Sequence, residues 1–390
     1  MTRPAGNPAL QPGGVNGHLI GVPGGPAQLR TPALVLDADL FETNLADMAR
    51  RAADAGIALR PHAKTHKCAK IAKRQVGLGA LGLCCAKLGE AEALADEGLS
   101  GLLITSPLVT PDSFARLIAL SRKAPDTRCV CDNPQVALAM AEAAAAAGTT
   151  LEVLVDLDVG LQRSGARTVA DAVELARVIA GHPSLRLGGI QGYAGHAMHI
   201  AGARARTAEL EQVSGKVAAL RDALSALDLP PAIITGGGTG SVDIDAALGI
   251  FTELQVGSYV FMDREYDDVW TSQGEAPPFA AALTLWTTVT SANQSGHCTL
   301  DAGCKALATE AGMPRVLDGA PRGARYEFFG DEQGKLVYAD AGLAPCRPGD
   351  VVRLQPPHCD PTVNLHDWIH VVRGDRIVDI WPLVARGRMQ

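Results

Sequence analysis

The sequence predicts an α/β fold: a TIM-type (β/α)8 barrel joined to a second, mostly antiparallel β domain. Three observations predict it. First, short apolar runs alternate with amphipathic helical stretches between about residues 31 and 270, the pattern of right-handed βαβ units on a parallel sheet. Second, around eight such units over roughly 230 residues is the quota of a barrel. A doubly wound open sheet shares this periodicity. Third, from about Phe279 the texture changes to short β-rich runs separated by Gly and Pro, which read as antiparallel strands. The expected organisation is a Gly/Pro-rich segment 1–30, a barrel 31–270 and a β domain 271–390.

The elements follow in order. TPALVLD reads as a strand, and Asp39 is placed to cap the helix LFETNLADMARRAADAG, which Gly56 stops. ALRPH precedes helical CAKIAKRQVGLG, LGLCC precedes KLGEAEALADEG, and GLLITS precedes TPDSFARLIALSRK. RCVCD leads into the Ala-rich PQVALAMAEAAAAAG, and LEVLVDLDVG into TVADAVELARVIAG. LGGIQGYAG, a long helix from about Ala203 to Leu227, AIITGGGTG and ELQVGSYVFMD complete the series. AALTLWTTVTSA, HCTLDAG, DVVRLQP and WIHVVRGDRIVDIWPLV supply the later strands.

Composition excludes several classes of function. Hydrophobic residues are 47% and charged residues 20% of the 390, ordinary for a globular protein with a sizeable core. A net charge of −7 with no long basic run argues against a nucleic-acid partner. The nine cysteines, an odd number that includes the adjacent Cys84 and Cys85, suit free thiols better than a disulfide framework. The first thirty residues lack the layout of a secretory signal, and no apolar stretch is long enough to span a bilayer. A soluble, cytoplasmic protein is expected.

Barrel active sites lie on loops at the carboxyl ends of the strands. PHAKTHK, DVGLQRSG, GYAGHAMH, GGGTGS and LQVGSY all follow predicted strands there. GGGTGS (236–241) reads as a phosphate cradle or as a flexible turn. It lacks the lysine of a Walker loop, which disfavours a nucleotide triphosphate. In RPHAKTHK (60–67), Lys64 is flanked by His62, His66 and Lys67. Neighbouring cations and shielding from water depress a lysine pKa, which suits Schiff-base formation; a solvated basic loop is the alternative. A phosphate loop and such a lysine on one face together point to pyridoxal phosphate. In PPHCDPTVNLHDW (356–368), His358 and Asp360 would point the same way on an extended segment, a half-site for a divalent cation, with Cys359 facing away. His366 and Asp367 are expected as supporting partners or as a solvated turn.

The motifs TPALVLD, RPHAKTHK, LGLCCAKLGEAE, DVGLQRSG, GYAGHAMH, GGGTGS, ELQVGSYVFMD, LDAG and PHCDPTVNLHDW run in the order found in the D-threonine aldolase and D-serine dehydratase family. Those are fold-type III pyridoxal-phosphate enzymes related to alanine racemase, and the resemblance covers about residues 30–390. It implies Lys64 as the Schiff-base lysine and Arg163 beside the cofactor's phenolic oxygen. It implies Tyr193, Gly238, Thr239, Gly257, Ser258 and Tyr259 around the cofactor and its phosphate, with Gln255 near the pyridine nitrogen. His199 corresponds to a histidine of the aldolases and is the candidate base; the alternative is a packed histidine at a helix start. GHAMHI departs from the aldolases' usual wording, and His196 is unusual. The aldolases carry H-x-D where the dehydratases carry H-x-C, so His358 and Asp360 favour an aldolase using Mg, Mn or Zn. The resemblance thus implies retro-aldol cleavage of a D-3-hydroxy amino acid, of the D-threonine or 3-hydroxy-D-aspartate type, to glycine and an aldehyde by a homodimer. Dehydration to a keto acid and ammonia is the rival within the family, racemisation is a weaker option, and a non-catalytic pyridoxal-phosphate carrier is the rival outside the enzymes. Arg264 or His196 would serve a substrate β-carboxylate.

Overall fold

A computed structural model describes residues 13–338 and 346–390. In chain order the strands are β1 (Ala33–Asp37), β2 (Ala58–Leu59), β3 (Leu83–Cys85), β4 (Leu102–Ile104), β5 (Arg128–Cys131), β6 (Leu151–Asp156), β7 (Leu185–Gly192), β8 (Ile233–Gly236), β9 (Glu253–Leu254), β10 (Leu283–Ser291), β11 (His297–Leu300), β12 (Arg315–Asp318), β13 (Arg325–Phe328), β14 (Gly334–Val337), β15 (Val351–Gln355), β16 (Trp368–Arg373) and β17 (Arg376–Pro382). The helices are α1 (Ala38–Ala55), α2 (Ala69–Gly77), α3 (Leu88–Asp96), α4 (Pro111–Lys123), α5 (Pro134–Ala146), α6 (Val169–Gly181), α7 (Ala203–Ser225), α8 (Val242–Leu248), α9 (Arg264–Thr271) and α10 (Cys359–Val363).

One compact unit comprises Ala46–Lys64, Ala69–Gly257 and Gly387–Gln390. Its eight strands pair in parallel in the order β2-β9-β8-β7-β6-β5-β4-β3. The two end strands meet through a parallel bridge between His62 and Cys84, with Leu81 N donating to Leu59 O and Cys84 N to Pro61 O, each at 2.8 Å. That contact closes the barrel. Cys84, Leu103, Val130 and Leu154, one from each of four neighbouring strands, are fully buried together with Ile233 against them; each large apolar side chain of this kind contributes about 1.5–3 kcal/mol. The covering helices start where the chain supplies caps. Thr110 and Thr168 accept from Ser113 N and Asp171 N in reciprocal capping boxes, and Asn133 accepts from Gln135 N and Val136 N. On α6 the buried residues Ala172, Leu175, Ala176 and Ile179 recur at helical spacing.

The other unit comprises the described residues up to Leu45, Thr65–Cys68 and Ser258–Arg386. Its nine-stranded sheet runs β13-β14-β11-β10-β1-β16-β17, with β15 also on β10 and β12 on β15. All pairings are antiparallel except β1 with β16. Here the structure corrects the expected boundaries. The run at 33–37 is a strand, but it lies between β10 and β16 and is no part of the barrel, and Ser258–Thr271 is counted with this unit too. The physical reason is that Ala33, Val35, Leu34 and Leu36 are all buried. A strand covered on both faces reads as a continuous apolar run whether its neighbours are parallel or antiparallel.

The described part of the Gly/Pro-rich segment 1–30 is also built into this unit; residues 1–12 lie outside the described residues. Leu19 and Leu29 pack with Val35, Trp286, Ile377 and Ile380. Buried His370 holds the segment: Nδ1 donates to Leu34 O at 2.8 Å, which leaves Nε2 to accept from Asn16 Nδ2 at 3.0 Å. Burial pushes this imidazole down to about 4, so it is neutral at physiological pH.

Candidate active site

In the barrel unit the expected residues all lie beyond the carboxyl ends of strands, and in a closed parallel barrel those ends form one rim. Lys64 follows β2, Arg163 follows β6, Tyr193 and His199 follow β7, Gly238 and Thr239 follow β8, and Gln255 and Gly257 follow β9. Lys64 sits half-buried in the turn Ala63–Thr65, and its backbone N–H points at His62 Nδ1 at 3.4 Å. His62 Nε2 lies 3.1 Å from Thr105 Oγ1, so this imidazole is tied to β4. The octapeptide 60–67 is therefore not one solvated loop: Arg60 is buried and forks onto Glu253, Nε to Oε1 at 2.8 Å and Nη2 to Oε2 at 2.9 Å, and also donates to Gly101 O. His66 and Lys67 are buried in the other unit, with His66 Nδ1 accepting from Cys68 N at 3.1 Å.

Arg163 is exposed on the loop after β6, with its guanidinium carbon 5.8 Å from the centre of the Tyr193 ring. His199 is exposed at the end of the helical turn Gly195–His199. His196, one turn earlier, bonds Glu209 on α7 at 2.9 Å. Its position is fixed from the helix side rather than by other rim residues.

The glycine loop after β8 answers the cradle-or-turn question in part. A Cβ on Gly238 would stand 2.6 Å from Met198 Sδ, and one on Gly240 would stand 2.6 Å from Met198 O. The wall at Gly240 is backbone and leaves no room for a side chain, whereas at Gly238 the Met198 thioether would have to shift to admit one. Gly238 N donates to Ser241 Oγ at 3.0 Å, and Ser241 Oγ donates to buried Asp245 at 2.5 Å. Burial pushes Asp245 up to about 7, against the pull of that hydrogen bond. The amides of Gly237 and Gly240 have no hydrogen-bond acceptor among the described residues. Two such donors on a loop walled by side chains, with Gly237 at φ +67°, fit an anion such as a phosphate.

In the sheet unit Ser258 opens the turn Ser258–Val260, and Tyr259 is buried edge-on to Phe279 with ring centres 5.8 Å apart. His358 and Asp360 do come together, with Nε2 3.9 Å from Oδ2. The extended segment expected for them is corrected, however. His358 is the extended residue preceding α10, and Asp360 lies in that helix's first turn. A proline is tolerated in a first turn and an aspartate is favoured there by the helix dipole, so CDPTV folds as a helix. Cys359 is fully buried with its sulfur 3.6 Å from Met262 O, turned to the protein interior. Arg264 has its charge taken by Asp268 at 2.8 Å and by Ala311 O. His366 bonds Ala306 O at 2.9 Å and Asp367 lies 3.4 Å from Arg386, so neither hydrogen-bonds His358 or Asp360.

Their place is taken by residues the sequence did not single out. Glu310 Oε1 accepts from His358 Nδ1 at 2.8 Å, directing Nε2 toward Asp360. Asp263 caps α9 through Tyr266 N and accepts from Cys359 N at 2.9 Å. Burial holds Asp263 well above the usual carboxylate range. Burial pulls His358 down, but Asp360, Asp263 and the Glu310 hydrogen bond together hold it above the ordinary imidazole value. Two ligands each about 2.1 Å from one ion can stand up to about 4.2 Å apart, so one ion can reach both atoms across the observed 3.9 Å. An imidazole and a carboxylate suit a hard or borderline divalent ion with waters completing its shell. Among the described residues no three His, Cys, Asp or Glu side chains form a fuller set.

The alanine racemase N-terminal domain model matches residues 36–265. The putative serine dehydratase domain model matches 282–372. The D-threonine aldolase of Arthrobacter sp is 40% identical over 372 residues, covering 94% of this chain and 95% of that protein. The chain belongs to the D-threonine aldolase and D-serine dehydratase family. A second relative in it, the 3-hydroxy-D-aspartate aldolase of Paracoccus denitrificans, is 35% identical and covers 93% of each chain. The solved D-threonine aldolase of Filomicrobium marinum superposes with a TM-score of 0.88 at 38% identity, covering 93% of this chain and 97% of that one. The fold is the alanine racemase-like, fold-type III arrangement expected from the sequence. No helix among the described residues is long and apolar enough to cross a membrane.

Proposed function

We propose that the chain is a pyridoxal-phosphate- and divalent-metal-dependent lyase that cleaves a D-3-hydroxy amino acid, of the D-threonine or 3-hydroxy-D-aspartate type, into glycine and an aldehyde. The observation that carries the aldolase reading is the carboxylate opposite His358 Nε2: Asp360 stands 3.9 Å away while the neighbouring Cys359 sulfur is buried elsewhere. The donor pair is then oxygen and nitrogen, suited to Mg, Mn or Zn.

In this reading Lys64 would hold the cofactor through its aldehyde carbon, and the Gly237–Gly240 loop with Thr239, together with Gly257, Ser258 and Tyr259, would receive its phosphate. Arg163 and Tyr193 would lie beside its ring, with Gln255 toward its nitrogen. Pyridoxal phosphate supplies the electron sink that lets a bond at the α-carbon break. A divalent cation supplies polarisation of the β-hydroxyl. His358 and Asp360 hold that cation, and Glu310 keeps the imidazole turned so that Nε2 faces it. His199 takes the proton from the β-hydroxyl oxygen. Lys64 Nζ returns a proton to the α-carbon after the aldehyde leaves. With Arg264 engaged by Asp268, a substrate β-carboxylate would have to find its cation elsewhere. A cytoplasmic homodimer is part of this reading.

Incubation with D-threonine, with and without EDTA, tests it. Acetaldehyde and glycine, lost on chelation, are the expected products. 2-Oxobutanoate and ammonia would assign the dehydratase reaction, and cofactor uptake without turnover of any 3-hydroxy amino acid would assign a carrier.

A further inference from the structure

The rim of the barrel holds a chain of buried polar side chains for which the reading above has no task beyond its last member. Asp156, the final residue of β6, accepts from Ser164 Oγ at 2.9 Å and from Gln191 Nε2 at 2.8 Å. Gln191, near the end of β7, gives its other amide hydrogen to Thr105 O at 3.2 Å. Its Oε1 accepts from Gln255 Nε2 at 3.0 Å, and Gln255 Nε2 also donates to Thr235 Oγ1 at 3.1 Å. Asp156, Gln191, Gln255, Thr235 and Thr105 are all buried.

The direction of these bonds is set at Gln191, whose nitrogen faces two groups that only accept here, the Asp156 carboxylate and the Thr105 carbonyl. An ionised carboxylate only accepts, whereas a primary amide has one accepting and one donating end. Gln191 must therefore turn its nitrogen to Asp156 and its oxygen to Gln255. Gln255 must in turn give both amide hydrogens inward. What remains is Gln255 Oε1, the one atom of the two amides with no hydrogen-bond partner among the described residues.

We propose that Asp156 is a positioning residue which, through Gln191, fixes Gln255 to present an amide oxygen to the ligand at the barrel mouth, so that the ligand edge read there must carry a hydrogen-bond donor. The inference rests on the cofactor reading. For pyridoxal phosphate the complementary edge is its ring nitrogen carrying a proton, the form that withdraws electrons more strongly. Burial pushes Asp156 up to about 6, with the hydrogen bonds from Gln191 and Ser164 pulling the other way. The carboxylate is thus charged at neutral pH and the polarity of the relay is maintained.

Asp156→Asn keeps the shape but replaces one of the two obligate acceptors at Gln191 Nε2 with a group that can also donate to Gln191 Oε1, leaving the Thr105 carbonyl alone to hold the orientation of the two glutamines. The experiment titrates apo protein with pyridoxal phosphate and with its deaza analogue, in which a CH replaces the ring nitrogen, following tryptophan fluorescence. The wild type is expected to favour pyridoxal phosphate by about tenfold, the value of one good hydrogen bond. Gln255→Leu is expected to bring the ratio close to one, and Asp156→Asn to lower it part of the way. A destabilised variant would bind both ligands less well and leave the ratio alone, so an unchanged ratio in Asp156→Asn overturns the relay. Should that variant not fold, Gln191→Leu cuts the relay at its middle link and carries the same expectation. Borohydride trapping on Lys64 in the same samples separates the two readings. Trapping with an unchanged ratio defeats the relay alone, whereas no uptake of either ligand by wild type removes the cofactor reading and the relay with it.

Discussion

The barrel rim and the His358 turn are built in opposite ways. The rim residues come from several different strand ends, and partners lie far apart in sequence: His62 with Thr105, Asp156 with Gln191, Gln191 with Gln255. At the turn the two candidate metal ligands are two residues apart, held by a five-residue helix and one distant carboxylate, Glu310. The rim depends on the barrel closing correctly. The turn depends on one cap and one hydrogen bond. Damage to the rim should therefore be collective, and damage to the turn local.

That contrast can be broken at several points. The largest effect is expected from Lys64→Ala, which should abolish cofactor uptake and lower turnover by roughly a thousandfold or more; absorbance of the bound cofactor and aldehyde release check it. Next comes the barrel stitch. Glu253→Gln leaves Arg60 buried without a charge partner and should destabilise the barrel by about 3–5 kcal/mol, measured by urea unfolding, while leaving divalent-metal affinity in the folded protein unchanged. If metal affinity falls in parallel, the turn is not local. Asp360→Ala removes one of the two proposed cation ligands and should cost on the order of a hundredfold in EDTA-sensitive turnover, with cofactor uptake intact by absorbance titration. Glu310→Gln is the mildest. It weakens the orientation of His358 and should cost about tenfold in metal affinity, read by titrating Mn into metal-free protein and following restored activity.

The same contrast decides how much was legible in the sequence. Strand and helix runs were readable because burial imposes continuous apolar runs on strands covered on both faces and helical spacing on helices. The sheet that β1 joins was not, because a strand buried on both faces looks the same in either sheet. Lys64 and the glycine loop stood out as local words, and so did His358 with Asp360. Yet the local reasoning at 358–360 assumed an extended segment, and the pair meets instead across a helix start. Glu310 sits 48 residues from His358, and Asp156 35 residues from Gln191. A single polar residue at a strand end has no local signature. Listing every polar residue that closes a buried strand would have raised Asp156, Thr105 and Gln191 as candidates, but their pairing is decided only when the strands assemble. For His366 and Asp367 the sequence left supporting partners and a solvated turn both open, and only the folded chain sets aside the first, by turning their side chains to Ala306 O and Arg386.

The most direct measurement is borohydride reduction of the protein loaded with pyridoxal phosphate, followed by peptide mapping. A single reduced cofactor adduct on the peptide containing Lys64 is the predicted result. No adduct, or one carried by a different lysine while the Lys64 peptide is recovered unmodified, would contradict the account.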